Sequence, residues 1–176
     1  MSNIIKKGMA VLKSPKKRTI ILAQRGFFKN MSDEDFLKMQ FKNVFGYPLD
    51  LDNPKTYSEK LQWLKLYDRK PEYTMMVDKY EVKKYVASKI GEEHIIKTLG
   101  VWDHFDDIDF AQLPNRFVLK CTHDSGGLVI CTDKSKLDLA AAKKKIEKSL
   151  KNDYYMQNRE WPYKNVKRRI IAEEYM

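Results

Sequence analysis

Two lysines and a pair of glycines have the clearest chemical capacity in this chain. Lys120 lies inside the otherwise apolar run Phe117-Val118-Leu119-Lys120-Cys121. Ser125-Gly126-Gly127 follows, and then a second apolar run, Leu128-Val129-Ile130-Cys131. The pattern reads as strand, polar loop, strand. Adjacent glycines tolerate positive φ and let another group approach the backbone closely. A lysine in a strand of buried character costs free energy unless it meets an anion. A phosphate meets that need, with charge from the lysine and donors from the loop N–H groups. A plain hairpin whose lysine reaches along the sheet to water is the other reading of the same residues.

The elements that must position this stretch are read from caps and periodicity. Ser32 followed by Asp33-Glu34-Asp35 starts a helix that Gly46-Tyr47-Pro48 stops. Thr56, with Glu59 at capping-box spacing, starts a second helix to Tyr67, with Leu61, Trp63, Leu64 and Tyr67 expected in the core. Residues 71–91 read as mostly helical, with Asp78-Lys79 opening the stronger part and Gly91 closing it. Residues 94–102 read as a strand, and 138–151 as an amphipathic helix with Leu139, Ala142, Ile146 and Leu150 inward. Its outward Lys143, Lys144, Lys145 and Lys148 read as a solvated face. Residues 152–168 read as an aromatic, basic loop, and 169–176 as a final strand ending Glu173-Glu174-Tyr175. Ser2 to Leu12 could form a short basic helix ended by Ser14-Pro15, beside the cluster Lys13, Lys16, Lys17 and Arg18. That segment is either solvated or set against an anionic membrane surface.

The 176 residues suffice for a packed core, and 43% hydrophobic content excludes a disordered chain. A net charge of +10 favours polyanionic partners without choosing among them. No run is long enough for a transmembrane helix, and lysines interrupt the N-terminal apolar residues, so a cytoplasmic protein is expected. Cys121 and Cys131 lie symmetrically about Gly126, so a hairpin could set them opposite each other; free, buried thiols are expected.

The order strand, glycine loop, strand, amphipathic helix, strand with paired glutamates resembles the N-terminal part of an ATP-grasp nucleotide site. The resemblance is to the TupA-like ATP-grasp proteins of bacterial polysaccharide biosynthesis, which are often labelled glycosyltransferases. It is carried by residues 53–68 (NPKTYSEKLQWLKLYD), Val77-Asp78-Lys79-Tyr80, Phe117 to Gly127, Arg159-Glu160-Trp161-Pro162-Tyr163 and Ile170 to Met176. It implies an α+β fold. Residues 1–70 would form a helical N-terminal region. Residues 71–176 would form the first lobe of an ATP-grasp domain, a small, mixed, mostly antiparallel sheet with helices on one side. It also implies ATP as cofactor. Lys120 and Lys79 would contact phosphates, Ser125, Gly126 and Gly127 would cover them, and Glu173, Glu174 and Tyr175 would meet the adenine. Mg²⁺ would be held by ligands outside this chain, because the second lobe that supplies them has no counterpart before Met176. The expected protein is therefore an incomplete member of the family, with apolar surface exposed near residues 170–176.

Three functions compete. The first is part of an ATP-dependent carboxylate–amine ligase of capsule or cell-wall biosynthesis, joining an amino acid to a sugar acid. Its partners would be a nucleotide and an anionic glycan or glycolipid, at the inner face of the membrane. His123 could serve it as an acid or base, or be simply polar. The second is a basic nucleic-acid-binding module, against which stands the lack of a zinc-finger, RNP or helix-turn-helix signature; no specific nucleic acid is expected. The third is a non-catalytic scaffold.

Overall fold

The computed structural model describes residues 14–176. The expected helix over Ser2 to Leu12 lies outside them. In chain order the elements are helices α1 (Pro15–Gln24), α2 (Asp33–Phe45), α3 (Tyr57–Tyr67), α4 (Glu72–Val77) and α5 (Glu81–Ile90), then strands β1 (Thr98–Trp102), β2 (Phe117–Cys121) and β3 (Leu128–Cys131). Helices α6 (Leu139–Leu150) and α7 (Tyr155–Asn158) and strand β4 (Ile170–Glu174) complete the chain. The fold is mixed α+β. It divides into two compact units, the described part of Met1–Lys70 with Asp153–Trp161, and Pro71–Asn152 with Pro162–Met176.

The first unit is helical. Ser32 caps α2 by accepting the Asp35 amide, and Gly46 ends it at φ 80°. Phe36, Leu37 and Phe41 from α2 pack with Ala23, Leu49 and Leu51 to form the core. Thr56 and Glu59 form a complete capping box at the start of α3. Pro15 opens α1, because proline has no N–H to leave unpaired at a first helical position and its φ is already helical. One sequence expectation is corrected here. Leu61, Trp63, Leu64 and Tyr67 are exposed rather than buried. The capping box takes Glu59 into the protein, and Lys65 donates to the Asn158 carbonyl at 3.1 Å, so the inward face of α3 is largely polar.

The expected loop at 152–168 contains α7, and Arg159 just after it is 1% exposed. Its guanidinium lies 4.7 Å from the Phe36 ring centroid and donates to the Phe28 carbonyl at 2.6 Å. The Asp33 carboxylate, which also accepts from the Tyr155 hydroxyl, is the counter-charge. A buried guanidinium is tolerated only with such partners.

The second unit holds a four-stranded, wholly antiparallel sheet in the order β1-β4-β2-β3. Phe117, Leu119, Cys121, Ile170 and Ala172 pack one face against Ala142 and Ile146 of α6. The last strand is central, so Ile170, Ile171 and Ala172 are fully buried; the expected exposed surface at 170–176 is confined to its end, at Glu174 and Met176. β1 begins at Thr98, and Glu92–His94 forms a 3-10 turn before it. Cys121 and Cys131 are free, buried thiols. They are not opposite each other, because Phe117 pairs with Cys131 and the hairpin is centred nearer Asp124 than Gly126. No helix among the described residues is long and apolar enough to cross a membrane.

The capping box gives a direct test. Thr56→Ala removes one hydrogen-bonded cap and should cost about 1 kcal/mol. In a chain of this size that corresponds to a fall of roughly 2–4 °C in thermal midpoint, read by circular dichroism.

Candidate functional site

The site is built on the face of the sheet opposite α6. In β2 the buried side chains alternate with Val118 and Lys120, which point to that second face. Val118 pairs directly with Glu173 and Lys120 with Ile171, so Lys120 and Glu173 are same-face diagonal neighbours. Their side chains form an ion pair. A second ammonium reaches the same carboxylate: Lys83, from α5, lies 2.6 Å from Glu173 Oε1 and also donates to the Ile96 carbonyl at 2.6 Å. Burial alone would raise the Glu173 carboxyl, which is 5% exposed, but Lys120 and Lys83 outweigh it and hold the group below its ordinary range. On the same face, Ile130 pairs with Val118 and is 57% exposed, giving an apolar surface beside the charges.

Lys79 enters from the turn between α4 and α5. The Asp78 carboxylate organises that turn, accepting the Tyr80 and Glu81 amides at 2.8 and 3.2 Å. Its second oxygen accepts from Arg169 at 2.9 Å, and Arg169 also bonds Glu81 at 2.8 Å. The Lys79 amide then donates to the Thr122 carbonyl at 3.2 Å, and its ammonium donates to the carbonyls of Thr122 and Asp124. Burial lowers the Lys79 pKa, and the positive charge of Lys120 lowers it further against the pull of Asp124. A half-buried ammonium resting on carbonyl dipoles is a group that an anion would stabilise.

The loop itself has two halves. Thr122 is tied down on both sides, its hydroxyl donating to the Lys167 carbonyl at 2.8 Å and accepting the Arg169 amide at 3.1 Å. Asp124 accepts from the Ser149 hydroxyl at the end of α6. His123 is buried, with Nε2 3.2 Å from the Asn152 carbonyl. Ser125 and Gly126 are exposed, and Gly126 stands at φ +131° with open space around its Cα. Gly127 is different. It is buried, and a Cβ there would overlap Ser149. Only Ser125-Gly126 is free to move over a ligand, while Gly127 lets the loop dock on α6.

Lys79, Lys120, Ser125, Gly126, Gly127 and Glu173 are thus gathered around one loop and one sheet face. Glu174 is not among them. It pairs with Phe117, which places its side chain toward the opposite face, and it is exposed. Tyr175 is half-buried, its ring 4.1 Å from the Arg116 guanidinium. The sequence reading passed over Lys83, Thr122 and Asp124. Lys83 alone had a local signal, since it lies one helical turn beyond Lys79. The set suits an anion with a flat apolar body: excess ammonium charge, a loop with one glycine open and one packed, and Val118 and Ile130 alongside. It does not suit a metal. Among the described residues no group of three or more His, Cys, Asp or Glu side chains could hold one.

A comparison with protein families matches residues 59–176 to the TupA-like ATPgrasp family. No curated protein and no solved structure matches the chain.

His123 makes the site acid-sensitive. Burial lowers its pKa from 6.5, so the neutral ring is the native form. With a depressed folded-state value, its contribution to stability is full above the unfolded pKa and is lost as pH falls through the folded one. Between about pH 7 and about pH 5 the urea midpoint of the wild type should therefore fall more steeply than that of His123→Gln. Parallel pH profiles would refute the assignment.

Proposed function

The chain belongs to the TupA-like ATPgrasp family, and from that premise we propose that its second unit binds the phosphates of ATP at the glycine loop. The observation that carries this reading is that Lys79 rests on the Thr122 and Asp124 carbonyls of the loop that Lys120, far from it in sequence, leads into, close enough for the two charges to oppose each other. Lys79 and Lys120 would take phosphate oxygens, and the amides of Ser125 and Gly126 would close over them beside the fixed Gly127. The adenine would lie along Val118 and Ile130, with Glu173 and the backbone of Glu174 and Tyr175 at its edge.

When bound, ATP would supply its γ-phosphoryl group to a carboxylate, leaving ADP, and an amine would then displace that phosphate to form an amide. Lysine charge opposes the negative charge that develops on the phosphates, and a loop that closes keeps water out. We assign the chain to ATP-dependent carboxylate–amine ligation in cell-surface polysaccharide biosynthesis, joining an amino acid to a sugar acid. Family resemblance and the net charge of +10 support an anionic glycan or glycolipid as acceptor.

Calorimetry with a non-hydrolysable ATP analogue tests the reading. Lys79→Ala and Lys120→Ala should each weaken binding by at least roughly tenfold, or about 1.4 kcal/mol. Single-stranded DNA or RNA bound more tightly than the analogue, with a steep salt dependence, would replace the nucleotide reading with a nucleic-acid one.

A further inference from the structure

Two ammonium groups share one buried carboxylate at Glu173, and they are not equivalent. Lys83 has a second acceptor, the Ile96 carbonyl, and its side chain is 15% exposed. Lys120 is paired with Glu173, its side chain is 32% exposed, and it starts two residues before the loop that holds Lys79. Lys83 is therefore the fixed partner and Lys120 the one able to turn away. Were Lys120 the carboxylate's sole counter-charge, its departure would leave a buried anion unpaired, at a cost that directly opposes ligand binding.

We propose that Lys83 is a positioning residue for nucleotide binding: by staying on Glu173 it releases Lys120 to meet the phosphates. This rests on the phosphate site proposed above. The excess positive charge of the Lys83–Glu173–Lys120 group then becomes the charge that recognises the anion. Lys83 itself, held by Ile96 and Glu173, stays where it is and touches no phosphate.

The test is a binding comparison on the full chain. Adenylyl imidodiphosphate and adenosine are titrated by calorimetry into the wild type, Lys83→Met, Lys83→Arg, Glu173→Gln and Lys83→Met/Glu173→Gln. Thermal melting of each variant confirms that it is folded. Lys83→Met should weaken the triphosphate analogue about tenfold or more, leave adenosine within about twofold, and be rescued by Lys83→Arg. In the Glu173→Gln background, where no carboxylate needs a partner, the same substitution should change triphosphate binding by less than about twofold.

Wild-type affinity in Lys83→Met overturns this inference and leaves the phosphate site standing. An equal loss in both Glu173 backgrounds also overturns it, because Lys83 would then touch the phosphate or act only through the fold. Should Glu173→Gln bind too weakly to complete the comparison, the adenosine arm decides: losses of adenosine and triphosphate in equal proportion refute it. A wild type that binds neither ligand refutes both readings.

Discussion

The carboxylate of Glu173 is the charge around which the second unit is arranged. It stands in one of the two inner strands of the sheet, 5% exposed, and could not be there alone. Lys120 reaches it diagonally from the neighbouring strand and Lys83 from α5. The arrangement ties three segments that are distant in the chain: the helix after Lys79, the strand before the glycine loop, and the final strand. Desolvation raises the carboxyl and two ammonium groups bring it down, and the ammonium groups win. A buried ion group of this kind contributes little net stability, but it strongly disfavours any packing that separates its members.

The polar ties around the loop follow the same logic. Thr122 is bonded to Lys79 on one side and to Lys167 and Arg169 on the other, while Asp78 and Glu81 hold Arg169. Asp124 is held by Ser149 and, through its carbonyl, by Lys79. These bonds join the loop to several other elements, so its base is fixed by the fold as a whole. The two residues at its tip, Ser125 and Gly126, are exposed. A rigid base with a short movable tip can select a ligand by shape and close over it at small entropic cost.

In the first unit a buried charge is balanced in the same way. Arg159 and Asp33 meet inside a helical core, between the Phe36 ring and the Tyr155 hydroxyl. Here the aromatic and basic composition of residues 153–161 is explained by packing. On α3 the opposite happens: apolar side chains face outward because the capping box and Lys65 turn its polar side inward.

What the sequence by itself determined is whatever depends on neighbours a few residues apart. Ser32, Thr56, Asp138 and Gly46 mark helix ends correctly because caps are local hydrogen bonds. The strand–loop–strand around Lys120 was legible for the same reason, as was the family its motifs resemble. Strand order was not. That β4 runs between β1 and β2, burying Ile170 to Glu173, depends on pairings across 49 residues and more. Periodicity named the apolar residues of α3 but not which side the protein would cover. Hairpin register separated Cys121 from Cys131, because the bonds from Thr122 and Asp124 set the turn's centre rather than the glycines. Of the site, lysine and glycine types were readable. The second ammonium on Glu173 and the division of the two glycines into one that moves and one that packs were decided by tertiary structure. A carboxylate's partners and a glycine's neighbours are set by which elements the fold brings within a few ångströms.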